Sequence, residues 1–126
     1  MKGTLRVVIL VAALALFVVD GSVLADNSLD GLWEGVPGSS VIISQDGNDI
    51  YLAVYAVIEG AVYVQHGQGK RTGNNVTFSM KTTSNVKNWP VTIDFKASVS
   101  DDGKKISGTN TNKLGTFPFT WTKKSR

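Results

Sequence analysis

Along most of this chain apolar side chains recur at every second position, and that period decides the backbone. Val91, Ile93, Phe95, Ala97 and Val99 alternate with Thr92, Asp94, Lys96 and Ser98. Val76, Phe78 and Met80 alternate with Thr77, Ser79 and Lys81, and Phe117, Phe119 and Trp121 with Pro118, Thr120 and Thr122. A β-strand turns successive side chains to opposite faces, so each run has one face for a core and one for water. Beyond residue 25 no window repeats apolar residues at helical spacing. Turn chemistry separates the runs: Asp46-Gly47-Asn48, Glu59-Gly60, Gly73-Asn74-Asn75, Asp101-Asp102-Gly103 and Thr111–Gly115.

These signals predict eight strands: Gly31–Val36, Ser40–Gln45, Asp49–Ile58, Ala61–His66, Val76–Thr82, Trp89–Val99, Lys105–Thr109 and Thr116–Thr122. Connections this short forbid crossovers, so sequence neighbours pair. The expected fold is all-β, an eight-stranded antiparallel up-and-down meander. An open sheet would leave two unpaired edges, and closure into a barrel removes them, so a barrel is favoured.

Met1–Ala25 reads as an N-terminal signal peptide. Lys2 and Arg6 supply the positive start, Val7–Val19 is an unbroken apolar run too short to span a bilayer, and Val23-Leu24-Ala25 offers a cleavage site. The expectation is a segment 1–25 that is removed and one domain over 26–126, periplasmic or secreted, with no membrane span after cleavage. There is no cysteine, which excludes a disulfide scaffold, a thiolate metal site and a cysteine nucleophile. The formal net charge of +3 is too small for a nucleic-acid footprint, and no nucleic-acid partner is expected.

One hairpin departs from clean alternation. With Glu59-Gly60 as its turn, Ile58 faces Ala61, Ala56 faces Tyr63 and Val54 faces Gln65. The other face then carries Tyr51, Ala53, Tyr55, Val57, Val62, Val64 and His66, so both faces are apolar. One should line the barrel. The other calls for a cover (a loop, a second subunit in a homo-oligomer, or a protein partner on the Asp49–His66 hairpin) unless these are isolated surface hydrophobes of the ordinary kind.

Gly31-Leu32-Trp33 stands where a Gly-X-Trp motif opens calycin barrels, and the chain resembles the small lipocalin-like domains of exported bacterial proteins. The Trp33-Glu34-Gly35 run and the stretch Ser100–Thr109, followed by an apolar last strand and Lys123-Lys124, fit the same pattern. The resemblance implies that Trp33 plugs one barrel end and that Lys123 or Lys124 packs over it. The usual C-terminal helix and cysteines are missing. Gly38-Ser39-Ser40 also resembles avidins, but their mid-chain tryptophans are absent apart from Trp89, so biotin binding is not implied.

His66 is the only histidine, which leaves no paired-histidine chemistry and no His-rich metal site. Most carboxylates sit in turns. Asp94 falls on the wet face beside Lys96, where a surface ion pair is expected, and Glu34 beside Trp33 is the acid of most interest. Gly67–Gly73 has the look of a phosphate loop but precedes a strand rather than a helix, so it reads as a strand end with glycine kinks or a mobile rim loop. No catalytic residue, metal or cofactor is expected. The expected function is an exported non-enzymatic binding barrel for a small apolar or amphipathic ligand, with Tyr51, Tyr55, His66 and Trp33 as candidate ligand-binding residues. The alternative is a protein-interaction module, such as a hydrolase inhibitor or accessory subunit, with a filled barrel.

Overall fold

The structure, a computed structural model, describes residues 28–125; the expected signal peptide lies outside the described residues. Eight strands follow one another: β1 (Gly31–Glu34), β2 (Ser39–Asp46), β3 (Asp49–Ile58), β4 (Ala61–Thr72), β5 (Asn75–Ser84), β6 (Thr92–Val99), β7 (Lys105–Asn112) and β8 (Gly115–Ser125). Each pairs antiparallel with the next, and β8 pairs with β1 to close the barrel. Connections therefore alternate between two ends. The β1–β2, β3–β4, β5–β6 and β7–β8 connections form one end, here called the mouth. The hairpin register is the expected one: Ile58 opposite Ala61, Ala56 opposite Tyr63, Val54 opposite Gln65. Glu59 and Gly60 both take positive φ, 52° and 85°, the double requirement of a two-residue turn that follows the strand twist.

The alternating positions of β5 and β6 point inward and are buried. Phe78 stacks on Phe95 at 4.6 Å between ring centroids, and Phe119 meets Phe95 edge-on at 5.1 Å. Trp121 completes the cluster, 5.5 Å from Phe78 and 5.1 Å from Phe119. These four rings fill the barrel's middle, where aromatic burial and edge-to-face geometry both stabilise.

Trp33 closes the other end. It is fully buried, and its Nε1 donates to the Leu29 carbonyl at 2.9 Å. Lys123, opposite Trp33 across the β1–β8 seam, holds its Nζ 5.7 Å above the ring and donates to the Ser28 carbonyl at 2.9 Å. Lys123, not Lys124, is thus the residue over the plug; Lys124 pairs with Glu34 outside, at 3.2 Å. Gln45 ties down the segment before β1. Its N–H donates to Asp30 Oδ1 at 2.6 Å, and its Oε1 accepts from Leu29 N at 3.0 Å and Arg71 Nη1 at 3.1 Å.

Two local expectations change. The strand expected to stop at His66 continues: β4 runs through Gly67–Thr72, paired to β3 and β5, so this is strand with glycine kinks and not a mobile rim loop. Both glycines occupy inward positions where the sheet bends so sharply that a Cβ would have no room. A Cβ on Gly69 would lie 1.9 Å from the Thr77 carbonyl oxygen, and one on Gly67 1.9 Å from that of Ser79. Glycine here is a corner, not a terminator. Asp94, expected to pair with Lys96, accepts instead from Ser79 Oγ at 2.6 Å, its direct cross-strand neighbour.

Two measurements check this account. Trp33→Ala should cost on the order of 3–5 kcal/mol in urea unfolding, as large-to-small core changes do, and clearly more than Trp89→Ala near the mouth. Gly69→Ala should cost about 3 kcal/mol, because backbone rather than a flexible side chain must move; a neutral effect would remove the corner from the fold.

Candidate functional site

Inward positions at the plugged end and the middle are packed, but toward the mouth they leave a cavity of about 250 Å³. Its aliphatic wall is Val41, Val54, Ala56 and Ile58, from β2 and β3. Its aromatic wall is Phe95, Phe119 and Trp121, and Tyr63 and Trp89 also line it. The period-two geometry places them: Val54, Ala56 and Ile58 share the inner face of β3, and Tyr63 and Gln65 that of β4.

Trp89 comes from the β5–β6 connection. Its ring leans on Tyr63 at 4.8 Å and 57°, and its Nε1 is buried without a hydrogen-bond partner among the described residues. The preceding Asn88 adopts φ 63°, and Pro90 after it is fully buried, so the corner that carries Trp89 is anchored on one side and bent on the other. Gly35 passes close behind the cavity. A Cβ there would stand 2.9 Å from Trp121 Cδ1, so its absence lets the indole lie against the β1–β2 connection.

Polar groups on this wall are few. Ser39 is internally satisfied: its Oγ donates to the Val36 carbonyl at 2.7 Å and accepts from Gly35 N at 3.2 Å. Gln65 and Asn110, half-buried on β4 and β7, make no side-chain hydrogen bond among the described residues. Among the described residues no Lys, Arg, Asp, Glu or His lines the cavity. The wall is therefore apolar and uncharged, with two amides exposed to its interior.

The four residues named from sequence lie elsewhere. Tyr51 and Tyr55 point outward, 46% and 56% exposed, because β3 turns its Ile50, Leu52, Val54 and Ala56 face inward. His66 is on the outer face too, between Ala53 of β3 and Lys81 of β5. Trp33 is inside, but at the plugged end. Hollows around His66 and around Lys70 and Asp94 are lined chiefly by outward residues of the neighbouring strands, beside Gly67 and Gly69. Lys70 there is paired with Asp49, which raises its pKa, and Arg71 bonds Gln45 and the Gly73 carbonyl. Among the described residues no group of three or more His, Asp or Glu could hold a metal ion.

The chain matches no protein-family model and no curated protein. A barrel fold alone does not fix a function, which resides in the site it carries. Of the lining residues, Gln65 was the most legible in sequence, since the hairpin register sets it opposite Val54. Asn110 and Trp89 carried no such signal, because one lies in a Thr-Asn run and the other in an irregular corner.

The outer surface is strongly two-sided. On β5–β8 the outward positions are Thr, Ser, Lys, Asp, Asn and one Pro. On β1–β4 they include Leu32, Ile42, Tyr51, Tyr55, Val57, Val62 and Val64, between 38% and 59% exposed. Register makes this continuous: Leu32 neighbours Ile42, Ile42 neighbours Ala53, Tyr55 neighbours Val64 and Val57 neighbours Val62.

Proposed function

We propose that this protein is an exported, non-enzymatic binding barrel that takes a small apolar or amphipathic molecule into the mouth cavity. The observation that carries the reading is a partly open, apolar, aromatic-walled space inside a barrel whose other end is plugged. Small-molecule sites have this form: mostly apolar walls with a few placed polar groups. An eight-stranded barrel has room for one small ligand at most, and the middle of this one is already filled by aromatic rings. Export rests on the basic, apolar and small-residue pattern of the first 25 residues. The lipocalin-like kinship belongs to the same reading and draws support from Trp33 beneath Lys123. The apolar interior and the polar outer face of β5–β8 run against a bilayer-spanning barrel, which carries an apolar band all round and a polar lumen.

Titration with the neutral dye N-phenyl-1-naphthylamine tests this. Saturable, one-to-one fluorescence enhancement is expected. Ala56→Phe, which fills the cavity from the inner face of β3, should weaken binding at least tenfold at a stability cost of about 1–3 kcal/mol. Dye binding untouched by Ala56→Phe would place the dye elsewhere and remove the cavity as a site.

A second reading is favoured by the one-sided outer surface: a second copy of this chain covers β1–β4. Soluble monomers rarely expose contiguous apolar patches beyond a few hundred Å². This face runs across all four strands β1–β4, from Leu32 to Val64. Leu32, Ile42, Ala53, Tyr55, Val57, Val62 and Val64 are all uncharged, and Glu34 and Lys70 at its borders are paired with Lys124 and Asp49, so a twofold copy can meet it without strong repulsion. Sedimentation should give a dimer for residues 26–126, and Tyr55→Lys with Val64→Lys should give a monomer of unchanged circular dichroism. A monomer at every concentration before mutation would end this reading and leave the first intact.

A further inference from the structure

The two unpaired amides narrow the kind of molecule the cavity holds. This step rests on the mouth cavity being the binding site. Gln65 projects from the inner face of β4, between Val54 of β3 and Thr82 of β5. Asn110 projects from β7, between Phe95 of β6 and Phe117 of β8. Both line the one cavity, from walls separated in one direction round the barrel by β5 and β6. Each primary amide presents two donors and one acceptor.

A wholly apolar guest would strip water from both amides and return nothing, and a dry, unpaired polar group is costly. An ionised guest meets the opposite difficulty. Among the described residues no charged side chain lines the cavity to balance it, and burying an unpaired charge costs far more than burying a neutral polar group. What remains is a guest that is neutral and both donates and accepts. Its body must suit the rings of Phe95, Phe119 and Trp121, and 250 Å³ sits just below the usual range of drug-sized sites.

We infer that the mouth cavity selects a neutral, flat, apolar molecule bearing one amide-like head, which Gln65 and Asn110 hold by exchanging donors and acceptors with it. The head lies against the amides and the apolar body against the aromatic wall. A carboxylic acid of the same body is discriminated against by its charge, and a hydrocarbon of the same body by the water it must displace.

Three probes that share one body distinguish these cases: 2-naphthamide, 2-naphthoate and 2-ethylnaphthalene, each measured by displacement of N-phenyl-1-naphthylamine at pH 7. The amide should bind at least tenfold more tightly than the carboxylate. Gln65→Leu and Asn110→Leu, close in volume and without the amide, should each weaken 2-naphthamide about tenfold and leave 2-ethylnaphthalene unchanged or tighter. Where a leucine variant does not fold, Gln65→Met or Asn110→Ser takes its place with the same expectation. Equal loss for amide and hydrocarbon, or carboxylate binding as tight as amide binding, would overturn the inference while dye binding kept the cavity as the site. Failure of the dye itself to bind, with no heat of binding from any of the three probes in direct calorimetric titration, would overturn both.

Discussion

One indole holds the barrel shut. Trp33 sits at the only place where the chain must join its beginning to its end, the seam between β1 and β8, and β1 has just four residues with which to do it. So short a strand, with a register shift between Leu32 and Trp33, offers few ladder bonds to hold closure. The side chain makes up the deficit. Its ring occupies the barrel end, its N–H fixes Leu29, and the ammonium above it fixes Ser28. With no disulfide available, closure depends on packing and hydrogen bonding alone.

That division of labour explains the interior. Near the plug, aliphatic side chains such as Ile50, Val76 and Ile106 are almost wholly buried. In the middle, four aromatic rings pack at 4.6 to 5.7 Å where they touch. Glycines at 67, 69 and 108 let the strands bend around that stack, since a Cβ at any of them would run into the neighbouring strand's backbone. Only toward the mouth do walls stand apart, and there the side chains that face inward include Gln65 and Asn110. A polar inward residue is cheap where water or a guest can reach it and expensive lower down.

Much of this was legible from residue alternation. Strand number, order and the β3–β4 register follow from period two and turn chemistry, because a one-residue slip would turn a whole buried face to water. The Gly-X-Trp position and the late lysine pointed to the plug. What could not be read was which of two apolar faces of β3 turns inward: Tyr51, Tyr55 and Val57 are as hydrophobic as Leu52, Val54 and Ala56, so pattern alone does not choose. In the closed barrel Ala56 lies inside opposite Tyr63, while Tyr51 and Tyr55 face out. The corner glycines were misleading for a related reason, as Gly-X-Gly marks both a loop and a sharply coiled strand. Asn110 was silent because nothing local separates an inward asparagine from an outward one.

The strict alternation of connections between the two ends has an evolutionary consequence. Every loop bordering the cavity belongs to the mouth, and none of the plug contacts of Ser28, Leu29, Asp30, Gln45, Arg71 and Lys123 lies on those loops. Insertions or substitutions at residues 35–38, 59–60, 85–91 and 113–114 can therefore reshape the mouth without touching the residues that close the other end. A lineage built on this plan is free to vary its mouth quickly while its plugged end drifts slowly, with selection acting on the two ends as nearly independent traits.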